Sequence, residues 1–124
     1  MTKQVLIVFG MSVLDRNTID FAHVDDDKIT LCISDHIPWD DEIVNGHLTI
    51  LQEKINDYLD FIDSGQIYEE FGNAEKTPNV KIIFCYAPVQ KTVDFLEKAK
   101  SAFKKSGYTL EWIFRPLPLS KTIF

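Results

Sequence analysis

The stretch that most constrains this chain is Val80–Tyr86, VKIIFCY, a short apolar run lying between two helix-length patterns. Its length and its β-branched residues suit a buried strand. Before it, Leu48, Leu51, Ile55, Tyr58 or Leu59, and Ile62 recur every three or four residues, the spacing of one helical face. After it, Val89, Val93, Leu96, Ala99 or Ala102, and Phe103 repeat that spacing. An alternating run then extends from Tyr108 to about Arg115, with Leu110, Trp112 and Phe114 on one face. Strand, helix and strand from Val80 to Phe114 predict a right-handed parallel crossover.

Upstream, Thr18–Val24 and Lys28–Ile33 read as two strands of a hairpin, joined by Asp25, Asp26 and Asp27, which favour turns over strands. Ile29, Leu31 and Ile33 share one face of the second strand, while Ile19 and Phe21 alternate with Asp20 and Ala22 in the first. The triple Asp lacks the spaced ligands, central Gly and closing Glu of a calcium loop, so it reads as a turn. Asn45 is a candidate N-cap for the first helix and Pro88 a candidate opening for the second. Gly65 and Gly107 are placed to stop them. Ile67–Asn79 reads as an irregular connection carrying a few anchoring aromatics.

The core order is therefore β-β-α-β-α-β. This is an α+β fold: a two-layer sandwich with a mixed four- or five-stranded sheet and two helices on one face. A length of 124 residues suits a single domain, 1–124, with no internal repeat or linker. Val5–Phe9 reads as an extra strand, or residues 1–10 as a leader before a second start at Met11. Asp15 and Arg16 follow without the small-residue cleavage site of a secretory signal. Pro116 and Pro118 cannot continue an interior strand, which makes 116–124 an extended C-terminal tail.

A net charge of −6 argues against general nucleic-acid binding, which needs clustered cations. Lys91, Lys98, Lys100, Lys104 and Lys105 read as one solvated helix face. No apolar run reaches the roughly 20 residues of a membrane-spanning helix. The two cysteines, Cys32 and Cys85, fall inside strand-like runs and read as small buried side chains, which fits a reducing cytoplasm.

The densest polar segment is Ser34–Glu42, SDHIPWDDE. Asp35, His36 and Asp40 are candidate catalytic residues. With Asp41, Glu42 and His47 they supply carboxylates and imidazoles for acid–base or metal chemistry, provided that they converge. The competing reading is a loop leading into a helix. Pro38 stiffens it, the acids face the first exposed N–H groups of the helix, and Trp39 covers the core edge. No G-x-S-x-G, G-x-G-x-x-G or P-loop occurs, and neither a metal nor a cofactor is assigned. His23 reads as a sheet histidine with a structural role.

MSVLDRNTIDF, ITLCISDHIPWDDE and HLTILQEKINDYLDFIDSGQIYEEF, followed by VKIIFCYAP and FLEKAKSAFKKSGYTLEW, resemble a family of small uncharacterised bacterial proteins, a domain of unknown function, over Met11 to about Phe114. The resemblance implies a bacterial cytoplasmic protein and brings no activity with it. The leading expectation is a noncatalytic protein-interaction or regulatory domain, of immunity type in its most specific version, that binds a protein partner or itself. Trp39, Asp41, Glu42, Tyr68 and Phe71 are the candidate contact residues. The alternatives are a small metal-dependent hydrolase using the Asp35–His47 loop, or a small-ligand sensor between sheet and helices.

Overall fold

The structure, a computed structural model, describes residues 3–5, 13–14, 19–72 and 74–116. The elements are β1 (Lys3–Val5), β2 (Phe21–Val24), β3 (Lys28–Asp35), α1 (Val44–Asp63), α2 (Gln66–Phe71), β4 (Thr77–Phe84), α3 (Gln90–Lys105) and β5 (Thr109–Phe114). They build one five-stranded sheet in the order β1-β2-β3-β4-β5. The first two pairings are antiparallel and the last two parallel. This is the α+β, mixed-sheet architecture expected from the chain pattern. The rest of Val5–Phe9, Met11, Thr18, Asn73 and the tail from 117 lie outside the described residues.

Both crossovers, through α1 and through α3, step the same way across the sheet, so a shared hand puts both helices on one face. Packing agrees. Ile29, Leu31 and Ile33 of β3 and Val80, Ile82 and Phe84 of β4 join Leu51, Ile55 and Ile62 of α1 and Leu96 and Phe103 of α3 in one buried cluster. The alternate positions, among them His23, Lys28, Thr30, Asn79, Lys81 and Glu111, fall on the opposite face, the open face, on which no helix packs among the described residues. Among the described residues no helix is long and apolar enough to cross a membrane.

Four local expectations are corrected. The strand read as Thr18–Val24 is β2, Phe21–Val24, in which Ala22 and Val24 face the core while Phe21 and His23 face the other way and are half-buried. The cap of α1 is Ile43, and Asn45 lies inside the helix, its side-chain oxygen accepting a hydrogen bond from Lys91 of α3. Pro88 precedes the N-cap of α3, Val89. The Ile67–Asn79 connection contains α2 and the start of β4. Gly65, at φ 82°, both ends α1 and caps α2.

Pro78 is tolerated in β4 for a geometric reason. Thr77 N–H bonds Asp27 on the β3 side, so the missing N–H of Pro78 faces the β5 side. Pairing with β5 begins only at Asn79, opposite Thr109, and no ladder bond is lost.

A buried polar network fastens α1 to this sheet. Lys54, 0% exposed, places Nζ 3.0 Å from Asp20 Oδ1. Asp20 Oδ2 accepts the Ser34 N–H at 2.9 Å. The Tyr58 hydroxyl donates to the Cys32 carbonyl at 2.6 Å and accepts the Asp20 N–H at 2.9 Å. Burial, with the Asp20 charge adding to it, pushes the Tyr58 hydroxyl well above the ordinary phenol range. A single carboxylate thus ties the segment before β2 to the end of β3 and the middle of α1.

Removing one member of a buried ion pair strands the other charge, at a cost of about 3–5 kcal/mol. Lys54→Met is expected to lower stability by about that much in urea unfolding, and adding Asp20→Asn should recover part of the loss. A double variant no more stable than Lys54→Met would contradict this assignment.

Candidate functional site

Strands β3, β4 and β5 end level with one another, Asp35 opposite Phe84 and Phe84 opposite Phe114. The segment 36–43 leaves this edge and turns into α1. Carboxyl ends of parallel strands are where ligand and partner sites gather in α/β sheets, because successive loops converge there. The polar segment picked out in the sequence lies at that edge.

The structure divides its residues into two groups. Asp35 is fully buried on the helix side. Its carboxylate holds His47 Nε2 at 2.8 Å and 2.7 Å from its two oxygens, and Oδ1 also accepts the Ile37 N–H at 3.1 Å. With Asp35 ionised its oxygens only accept, so Nε2 carries the proton. His47, in the first turns of α1, is 2% exposed. Trp39 stacks on its ring, centroids 3.4 Å apart and planes 12° apart, and packs against Phe84 at 6.0 Å. His47 Nδ1 and Trp39 Nε1 are buried without a hydrogen-bond partner.

The second group points outward. His36, Pro38, Asp40, Asp41, Glu42 and Ile43 are all exposed. The fold therefore separates the catalytic candidates: Asp35 pairs inward with His47, while His36 and Asp40 stand in solvent. Among the described residues no three His, Cys, Asp or Glu side chains are grouped to hold a metal ion.

Trp39 is half-buried and engaged by His47 and Phe84. Tyr68 and Phe71, both on α2, are half-buried as well. The Tyr68 hydroxyl donates to the Lys76 carbonyl at 3.2 Å, and Phe71 meets Phe61 edge-on at 6.5 Å. Both cysteines are free. Cys32 is buried, and burial, reinforced by Glu111 and Asp20 and opposed by Lys81, pushes its thiol up to about 11, far from a thiolate nucleophile at neutral pH.

What sequence reasoning missed is the apolar part of the same edge. Among the described residues the large exposed hydrophobic ones are Leu14, Ile43, Tyr86 and Phe114, at 56, 45, 45 and 53% exposure. All of them sit on this rim. Phe114 ends β5 and Tyr86 follows β4. Ile43 caps α1, and Leu14 adjoins Val13, whose N–H bonds the Ser34 carbonyl. They are far apart in sequence, so only the strand register reveals that they share an edge.

A family model described as a family of unknown function (DUF6572) matches residues 11–115, in agreement with the resemblance over Met11 to about Phe114. No curated protein and no solved structure matches the chain.

Replacing His47 by Ala removes the partner of a fully buried carboxylate and the ring on which Trp39 lies. It is expected to cost about 3–5 kcal/mol in denaturant unfolding. Asp40→Asn, Asp41→Asn and Glu42→Gln should leave the unfolding midpoint within experimental scatter, as exposed substitutions do. A His47→Ala protein as stable as the wild type would rule out the anchoring role.

Proposed function

We propose that the chain, which belongs to the family of unknown function DUF6572, is a noncatalytic protein-interaction domain of the bacterial cytoplasm. Its contact surface is the rim at the carboxyl ends of β3, β4 and β5, and its partner is a basic protein surface. Masking a basic toxin, as an immunity protein does, is the most specific form of this reading. The observation that carries it is the placement of Leu14, Ile43, Tyr86 and Phe114 on the edge that also bears exposed Asp40, Asp41 and Glu42. Exposed apolar side chains rimmed by charge are the usual make-up of a protein contact.

The anchoring of the loop supports the same reading. A segment held from beneath by the Asp35–His47 pair and the Trp39 stack loses little conformational freedom on binding, so its contacts convert more fully into affinity. The acids steer a cationic partner and set the salt dependence, while Tyr86 and Phe114 supply the desolvated area.

The test is capture of a partner on immobilised wild-type protein, followed by affinity measurements with two variants. Tyr86→Ala is expected to weaken binding about tenfold or more, as for an aromatic anchor. Asp40→Asn with Asp41→Asn and Glu42→Gln should slow association and flatten its salt dependence. A partner that binds both variants as tightly as the wild type would place the contact surface elsewhere.

A further inference from the structure

The open face of the sheet carries a concavity of about 240 Å³, at the end opposite the rim. Its floor is the row Thr30 and Asn79, paired across β3 and β4 and only 3% and 1% exposed. The amide of Asn79 is fully used. Nδ2 donates to Thr30 Oγ1 at 3.1 Å and to Glu111 Oε2 at 2.8 Å, and Oδ1 accepts from Thr109 at 2.6 Å. This bonding fixes Thr30 Oγ1 as an acceptor toward Asn79 and leaves its hydroxyl hydrogen to donate.

The walls carry both signs of charge at both ends. Lys81 and Glu111 stand opposite each other across β4 and β5, one step beyond the floor. Lys28 and Asp27 close the other end, where the Asp25 carboxylate holds the hairpin turn by accepting the Asp27 and Lys28 N–H groups. His23 flanks Thr30 from β2. Because Asn79 draws Glu111 toward the floor, the Lys81 ammonium forms no ion pair among the described residues; nor does that of Lys28. Five residues, about 17 Å of backbone, separate Asp27 from the level of Lys81, which pairs with Cys32, and the Asp27 and Lys81 side chains both line the concavity between.

We propose that this concavity binds a small zwitterion of amino-acid or dipeptide size. Its carboxylate sits at Lys81, its ammonium at Asp27, and its middle receives the Thr30 hydroxyl hydrogen. The ligand carboxylate meets the Lys81 ammonium, left unpaired because Glu111 is engaged by Asn79, and the ligand ammonium meets the Asp27 carboxylate, which accepts no hydrogen bond among the described residues. An extended dipeptide separates its two charges by about 7 Å, which suits a site whose charged walls lie on either side of an uncharged floor. The site is independent of the rim and of the partner proposed there.

The test is a titration of the folded ¹⁵N-labelled chain with glycylglycine, succinate and 1,4-diaminobutane in parallel, at neutral pH and constant ionic strength. Glycylglycine is expected to shift the Thr30, Asn79 and Lys81 amides saturably, with a dissociation constant in roughly the millimolar range. Succinate and the diamine should produce no saturable shift at those amides. Lys81→Gln should weaken glycylglycine binding about tenfold, Lys81→Arg should keep most of it, and Lys91→Gln on α3 should leave it unchanged. Amide spectra of the free variants verify that each is folded. No saturable response to glycylglycine, an equal response to succinate, or unchanged binding by folded Lys81→Gln would each overturn the proposal.

Discussion

Helix α1 is held to the sheet by two buried polar pairs that enter from the same helical stripe, the Lys54–Asp20 ion pair and the His47–Asp35 hydrogen bond. His47, Leu51, Lys54 and Tyr58 follow one another at steps of four, three and four residues, and none is more than 2% exposed. The upper pair, His47 with Asp35, closes the end of β3; the lower, Lys54 with Asp20, closes the approach to β2. The apolar residues beside the stripe give the packing its area. The two pairs fix its register, since a slide by one turn would leave Lys54, Asp20 and Asp35 buried without their partners.

The rest of the molecule depends on that register. Asp35 can take up His47 only if the loop between them folds back over Phe84, which is where Trp39 lies. With its inward residues committed, the loop turns His36, Asp40, Asp41 and Glu42 to solvent beside Tyr86 and Phe114. A polar cluster that reads as chemistry in one dimension thus becomes a fastening on its inner side and a contact surface on its outer side. The open face of the sheet takes no part in this arrangement and keeps its own polar concavity.

Much of the fold was legible because its signals are local. VKIIFCY, the two helical stripes and the Gly65 and Gly107 stops depend only on neighbouring residues, and they define the element order and the mixed sheet. The misreadings have specific causes. Pro78 and Asn79 look like loop residues until the one-sided pairing at Pro78 is known. The alternation of Ile19 and Phe21 with Asp20 and Ala22 does not reveal which face of β2 is inward, because nothing local shows that Asp20 is buried by a lysine on a helix far along the chain. Lys54 carries no local sign of burial, since a helical lysine is usually a surface residue. Of the Ser34–Glu42 segment, its role as a loop into a helix was readable; the inward turn of Asp35 toward His47 was not, because it depends on where α1 packs.

The central claim is that the Asp35–His47 pair, with Trp39 stacked on it, orders the loop that forms the rim. Amide hydrogen exchange on wild-type and His47→Ala protein, both under conditions where they are fully folded, tests it most directly. The account predicts that Ile37, Ile43 and the first turn of α1 lose far more protection than Val80 and Ile82 in β4. Protection lost equally at all these amides, or kept at Ile37 and Ile43, would contradict it.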